Sequence, residues 1–218
     1  MTLFSESRKV LFDSLRKACS SGLHGRAALV AAFTAGLALV AFSPPAMAAW
    51  DLQQLMDSLA QNKSSRAAFV EKKYIAVLDK PVESSGELVY TAPDGLEKLT
   101  FQPRAEAMVV NGDELYVERG RQKHRLRLQA YPELAAFIDS IRGTLAGDRK
   151  ALERNFHLGL EGTAERWTLQ LQPIDASMLA VIRRIRISGA GDQVDGIEIT
   201  QSDGDRSLMR MEKLAAPR

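Results

Sequence analysis

Two hydrophobic periods divide the chain. After Asp51, the residues Leu52, Leu55, Met56 and Leu59 recur at the spacing of an amphipathic helix, with Asp51 in the N-cap position and Lys63-Ser64-Ser65 ending the pattern. The period then falls to two, which predicts strands over residues 69–78, 86–91, 97–102, 105–110 and 114–118. Between them lie Lys80-Pro81, Pro93-Asp94-Gly95, Gln102-Pro103-Arg104 and Asn111-Gly112-Asp113, short breaks whose turn chemistry joins neighbouring strands into an antiparallel meander.

Helical spacing returns at Tyr131-Pro132, where Leu134, Phe137, Ile138 and Ile141 form one stripe and Gly143 is the expected stop. A shorter helix is expected over 148–155, then strands over 157–160, 167–171, 181–188, 194–200 and 206–213. Ten or eleven short strands, one helix before them and helices in the middle define a mainly β, α+β class. The absence of βαβ alternation speaks against a doubly wound sheet. An antiparallel sheet of this size curls, and its concave face must be filled; the helices are the available filling. No flexible linker or repeat interrupts residues 49–218, which therefore read as one domain.

Residues 1–48 have a different pattern. Ala27 to Phe42 is a 16-residue run without charge, preceded by Arg26 and followed by Ser43-Pro44-Pro45 and Ala46-Met47-Ala48. That order is the one of a secretory leader, and the run is short for a membrane span of about 20 residues. Cleavage is expected after Ala48, delivering the chain to the periplasm; the competing expectation is an uncleaved anchor, since the segment before the apolar run is long. Without the leader's five basic and two acidic side chains, 29 Lys plus Arg against 27 Asp plus Glu becomes 24 against 25, a net charge of −1. A nearly neutral domain has no field to hold phosphate backbones, so nucleic acid is not an expected partner.

The candidate chemistry is sparse. Cys19 lies in the leader, and His124 and His157 stand at no metal-ligand spacing, so both read as structural and neither metal nor cofactor is expected. Asp203-Gly204-Asp205 reads as a hairpin turn, because the remaining ligands of a calcium loop are missing. No nucleophile motif, phosphate loop or dinucleotide fingerprint occurs, so an enzyme is not expected. From Arg121 to Leu128 the odd positions are all cationic; a strand there presents a basic face, either a docking stripe for an acidic partner or lipid phosphates, or a solvated outer face.

The remaining feature is apolar. Leu88, Tyr90, Leu99, Phe101, Met108, Val110, Leu115, Val117, Trp167, Leu169, Leu171, Ile185 and Met209, with Ile187, Ile197, Ile199 and Met211, supply one face of most strands. A plain core is the default. A half-closed sheet with helices packed into its mouth instead makes a cavity, and methionine side chains suit flexible acyl ligands.

The stretch from Ser85 to Val117 resembles the periplasmic outer-membrane lipoprotein carriers, the LolA-like family. Gly86-Glu87-Leu88-Val89-Tyr90 before Pro93, then Leu99-Thr100 and Pro103, then Val109-Val110-Asn111-Gly112-Asp113-Glu114-Leu115-Tyr116, is similar to that family's succession of strands and turns. Weaker similarity runs through Trp167-x-Leu169-x-Leu171-x-Pro173, Ile185-x-Ile187 and the Asp203-Gly204-Asp205 turn. The resemblance implies an unclosed β-barrel lidded by the N-terminal and central helices, with Leu52, Leu55, Met56, Leu59, Leu134, Phe137, Ile138 and Ile141 on the lid. It also implies a monomer that takes up acylated lipid or lipoprotein cargo from an inner-membrane donor and passes it to an outer-membrane acceptor. Family members carry an Arg before the Pro of the first turn that gates the lid, and Ala92 stands there in this chain. Lys98 and Glu106, on adjacent expected strands, are the candidate polar gate instead, contacting the lid or a ligand headgroup, or else a surface cross-strand pair. This departure points to a divergent branch serving an acylated or polyene-type lipid conjugate. The competing reading is a ligand-free envelope domain that binds a regulator.

Overall fold

The computed structural model describes residues 50–215; the expected leader and its cleavage point after Ala48 lie outside the described residues. Helix α1 (Leu52–Leu59) opens on a capping box in which Asp51 accepts from the Gln54 N–H and Gln54 reaches back to the Asp51 N–H. Six strands follow: β1 (Ser64–Tyr74), β2 (Val82–Thr91), β3 (Gly95–Gln102), β4 (Glu106–Asn111), β5 (Glu114–Arg119) and β6 (Gln122–Arg127). A 3-10 turn (Leu128–Ala130), α2 (Pro132–Ala146) and α3 (Arg149–Glu153) lead to β7 (Phe156–Thr163) and β8 (Arg166–Pro173). Helix α4 (Ala176–Val181) then precedes β9 (Ile182–Ala190), β10 (Gln193–Gln201) and β11 (Arg206–Lys213).

All eleven strands form one antiparallel sheet in the order β6-β5-β4-β3-β2-β1-β11-β10-β9-β8-β7. Two meanders meet at its centre, where β1 pairs β11, and β6 and β7 remain as free edges, so the sheet is not closed. This topology explains the lid. To pass from one edge to the other, the chain between β6 and β7 must cross the mouth of the curled sheet, and that segment is α2 and α3.

Three local expectations need correction. Gly143 does not stop α2; the helix runs a turn further to a left-handed cap at Gly147, φ 65°. A Cβ at Gly147 would lie 2.1 Å from the Met56 carbonyl oxygen, so glycine is required both for the cap and for the approach of α2 to α1. Helix α4 lies where the spacing predicts no helix and takes in Val181, the expected start of a strand; it is nucleated by the Asp175 carboxylate accepting from the Ser177 and Met178 N–H groups. Strand β1 begins at Ser64, five residues ahead of the expected start.

The apolar interior divides in two. One cluster joins α1 (Leu55, Met56, Leu59) to Trp167, Leu169, Leu171, Ile185 and Ile187 of β8 and β9. The other joins Val110, Leu115 and the Leu128 turn to Ile138 of α2.

Candidate functional site

Between the two clusters the interior is hollow. A cavity of about 530 Å³ separates α2 from the centre of the sheet, within the range usual for small-molecule sites. Its walls come from both meanders and from the lid: Leu88, Leu96, Met108 and Val110 on one side, Ile182, Ile197, Ile199 and Met209 on the other, and Leu134, Phe137, Ile138 and Ile141 above. Tyr131 and Val181 also line it but are about half exposed, which puts the mouth between the start of α2 and the end of α4. A smaller void of about 70 Å³, bounded by Leu59, Tyr90 and Val194, continues toward α1 and shares Leu88, Leu96, Ile141 and Ile197 with the large one.

The apolar residues expected on one face thus have three different fates. Leu88, Met108, Val110 and Met209 line the large cavity, and Tyr90 the small one. Leu115 and Val117 pack in the cluster beneath α2. Trp167, Leu169, Leu171 and Ile185 are completely buried in the cluster beneath α1 and line neither void.

Leu99 and Phe101 are a correction: they point to the convex face. The hairpin register pairs Leu88 with Lys98 and Tyr90 with Leu96, so the inward residues of β3 are Leu96, Lys98 and Thr100. Phe101 is accordingly 53% exposed. The tight β2–β3 contact that enforces this phase is visible at Gly86, where a Cβ would lie 1.9 Å from the Leu99 carbonyl oxygen.

Of the lid residues, Leu134, Phe137, Ile138 and Ile141 face the cavity, whereas Leu52, Leu55, Met56 and Leu59 of α1 pack into the neighbouring cluster. Of these four α1 residues, Leu59 alone touches either void.

Lys98 and Glu106 do not pair with each other, which corrects the cross-strand alternative, and their ion pairs are made within the sheet and not to the lid. Lys98 Nζ donates to Glu71 Oε2 at 2.6 Å, and Glu106 pairs with Arg119. Glu71 is buried in the cavity wall and also accepts from Ser207 Oγ at 2.6 Å and Ser84 Oγ at 3.3 Å. Burial is the largest influence on its carboxyl and pushes its pKa up. The charge and hydrogen bond of Lys98, the Ser207 hydroxyl and the charge of Lys73 together outweigh burial and hold it below the ordinary glutamate value. Nothing in a single sequence identifies Glu71 beforehand, because its partners lie 27 and 136 residues away.

The lid is tied to the sheet from its own side. Arg142 of α2, only 13% exposed at its side chain, donates to the Gly112 carbonyl in the β4–β5 turn at 3.0 Å. It also pairs with Asp94 in the β2–β3 turn at 3.2 Å. Asp94 is two residues beyond Ala92, so this turn is tied to α2 by a guanidinium from the helix. The basic face of β6 is a solvated outer face in this structure: Arg125 pairs with Glu114 and Lys123 with Glu118 across β5. Among the described residues no group of His, Cys, Asp and Glu has the arrangement of a metal site, and no helix is long and apolar enough to cross a membrane.

Residues 44–215 match the family described as outer membrane lipoprotein carrier protein LolA-like. Solved structures similar to the chain include a LolA superfamily protein from Nitrosomonas europaea, at 13% identity over 77% of this chain and 93% of that one, TM-score 0.40. A chain of the Pseudomonas aeruginosa MucA/MucB complex matches at 14% identity over 77% and 59%, TM-score 0.45. The Mycobacterium tuberculosis lipoprotein LppX matches at 9% identity over 77% and 96%, TM-score 0.40. No curated protein matches the chain in sequence.

Proposed function

Because the chain belongs to the outer membrane lipoprotein carrier protein LolA-like family, we propose that it is a carrier that binds the acyl chains of a lipid conjugate or lipoprotein and moves them between membranes. The observation that carries this reading is the hollow beneath α2, about 530 Å³ and walled mainly by apolar side chains from both meanders and the lid. A sheet meant only to support an outer surface would gain from closing such a void, since a dry apolar cavity costs stability in proportion to its volume. Acyl chains repay that cost, at about 0.8 kcal/mol for each methylene taken out of water.

In this reading the leader is removed after Ala48 and residues 49–218 work as a monomer in the periplasm. An inner-membrane donor loads the cargo, and an outer-membrane acceptor takes it by offering a drier or larger apolar site. Exchange needs no covalent step. It needs α2 to lift from β1–β4, and the mouth between Tyr131 and Val181 is where a chain would enter.

The test is to express the full chain with its leader, purify the protein from periplasm without detergent and analyse an organic extract by mass spectrometry. Stoichiometric acylated species are the expected result and would name the cargo class. An empty extract from a folded protein that also refuses added fatty acid would overturn the carrier reading in favour of a ligand-free interaction domain.

A further inference from the structure

The cavity is not apolar at every wall. At the end of β1 remote from α1, a second, polar recess of about 230 Å³ adjoins it and shares Glu71, Lys73 and Lys98 with it. Arg104, Glu106 and Arg119 complete the charged lining of this bay, which therefore holds four cations and two anions. Arg119 is neutralised by Glu106 and Lys98 by Glu71. Lys73 Nζ stands 3.7 Å from Glu71, an acceptor already held more closely by Lys98 and Ser207, and Arg104 makes no ion pair among the described residues.

The three spaces thus lie in series: a small void of mixed lining at the α1 end, the large, mainly apolar cavity, and a bay with a positive surplus. A hydrocarbon ligand would leave that surplus unused, whereas a cationic head would meet it with repulsion. Resting on the carrier reading above, we infer that the bay is a headgroup site and that the ligand is an anionic amphiphile. Its tail runs along Leu88, Ile141 and Ile197 toward α1, and its carboxylate or phosphate is held by Lys73, Lys98 and Arg104.

Lys98 has donors left after its bond to Glu71, because an ammonium carries three N–H groups. Lys98 and Lys73 line both the cavity and the bay, so charge is offered where the tail leaves the hydrocarbon-like space. Hydrogen bonds from ionised donors to an anionic oxygen are shorter and stronger than neutral ones, which sets the expected discrimination.

The experiment displaces a neutral naphthylamine dye from the intact protein with a dodecyl series below micelle-forming concentrations: dodecanoate, dodecyl phosphate, dodecanol and dodecyltrimethylammonium. The expected result is that one or both anions displace dye at about tenfold lower concentration than the alcohol, that added salt shrinks the difference, and that the cation is weakest. Which anion wins separates a carboxylate from a phosphate head. In the double variant K73Q/R104Q, two side chains exposed enough to change without unfolding the domain, the anion preference disappears while dodecanol binding stays. Equal displacement by anion and alcohol, or a preference that survives K73Q/R104Q, overturns the headgroup site and leaves the carrier intact. Failure of every amphiphile and of the dye to bind overturns the carrier reading and this inference with it.

Discussion

The two meanders carry the same alternating pattern, yet the helices opposite them leave one stretch packed and another hollow. In the β7–β10 half, Trp167, Leu169, Leu171, Ile185 and Ile187 meet Leu55, Met56 and Leu59 of α1 and are all 1% exposed or less. In the β1–β4 half, Leu88, Leu96 and Met108 point the same way but meet a void of about 530 Å³ beneath α2. The difference lies in what stands opposite. Helix α1 docks on its strands directly, while α2 is propped at its C-terminal end on α1 and α3 and near α4 at its other end, and spans the gap between them. The sheet is packed solid beneath α1, whereas beneath α2 strands of both meanders face the hollow.

The contrast is tested most severely by truncation. Trp167→Ala removes a fully buried indole whose Nε1 donates to the Gly191 carbonyl at 3.0 Å, and should cost about 3–5 kcal/mol in urea denaturation. Met108→Ala, which only enlarges an existing hollow, should cost about 1 kcal/mol or less. Equal losses would show that the β1–β4 half is packed as tightly as the other.

The polar wall gives a test in pH. Because the Glu71 carboxyl is held below its ordinary value in the folded protein, it contributes stability above the unfolded glutamate value, and that contribution is lost as pH falls through the lowered folded value. Glu71→Gln should destabilise by about 1–3 kcal/mol at neutral pH, leaving the mostly buried Lys98 without its counter-charge, and should flatten the acid limb of the stability curve. An acid limb unchanged in E71Q would mean that Glu71 carries no such role.

A smaller effect on stability and a larger one on exchange are expected at the lid. Arg142→Ala removes the tie from α2 to Gly112 and Asp94, at a cost of about 1–2 kcal/mol. Dye release in stopped-flow should quicken several-fold, because opening no longer breaks a charged hydrogen bond. Unchanged release would place the moving element elsewhere. Smallest of all, Phe101→Asp should alter stability by no more than about 0.5 kcal/mol and leave dye binding intact, since the ring stands on the convex face. Loss of binding in F101D would reverse the assigned phase of β3.

That strand shows where reading the chain reaches its limit. In Leu96-Glu97-Lys98-Leu99-Thr100-Phe101 the apolar residues at 99 and 101 make the more hydrophobic face, and alternation alone turns them inward. The hairpin register turns Lys98 inward instead, which is tolerable only because Glu71, two strands away, is there to receive it. The split among the other apolar residues was equally hidden: Met108 and Leu169 read alike, and only the helix opposite each makes one a cavity wall and the other core.

By itself the sequence determined most of the elements and their order: the Asp51 cap, the period-two strands, the turns that make neighbours antiparallel, and the apolar stripe of α2. These rest on local backbone preferences and on spacing, which are properties of short segments. Tertiary structure alone decided that the sheet stays open, that α2 stands off it, that Arg142 ties the lid and that Glu71 gathers its partners. Each depends on contacts between residues far apart in the chain, and the free energy of such contacts is set by the assembled geometry, to which no local pattern has access.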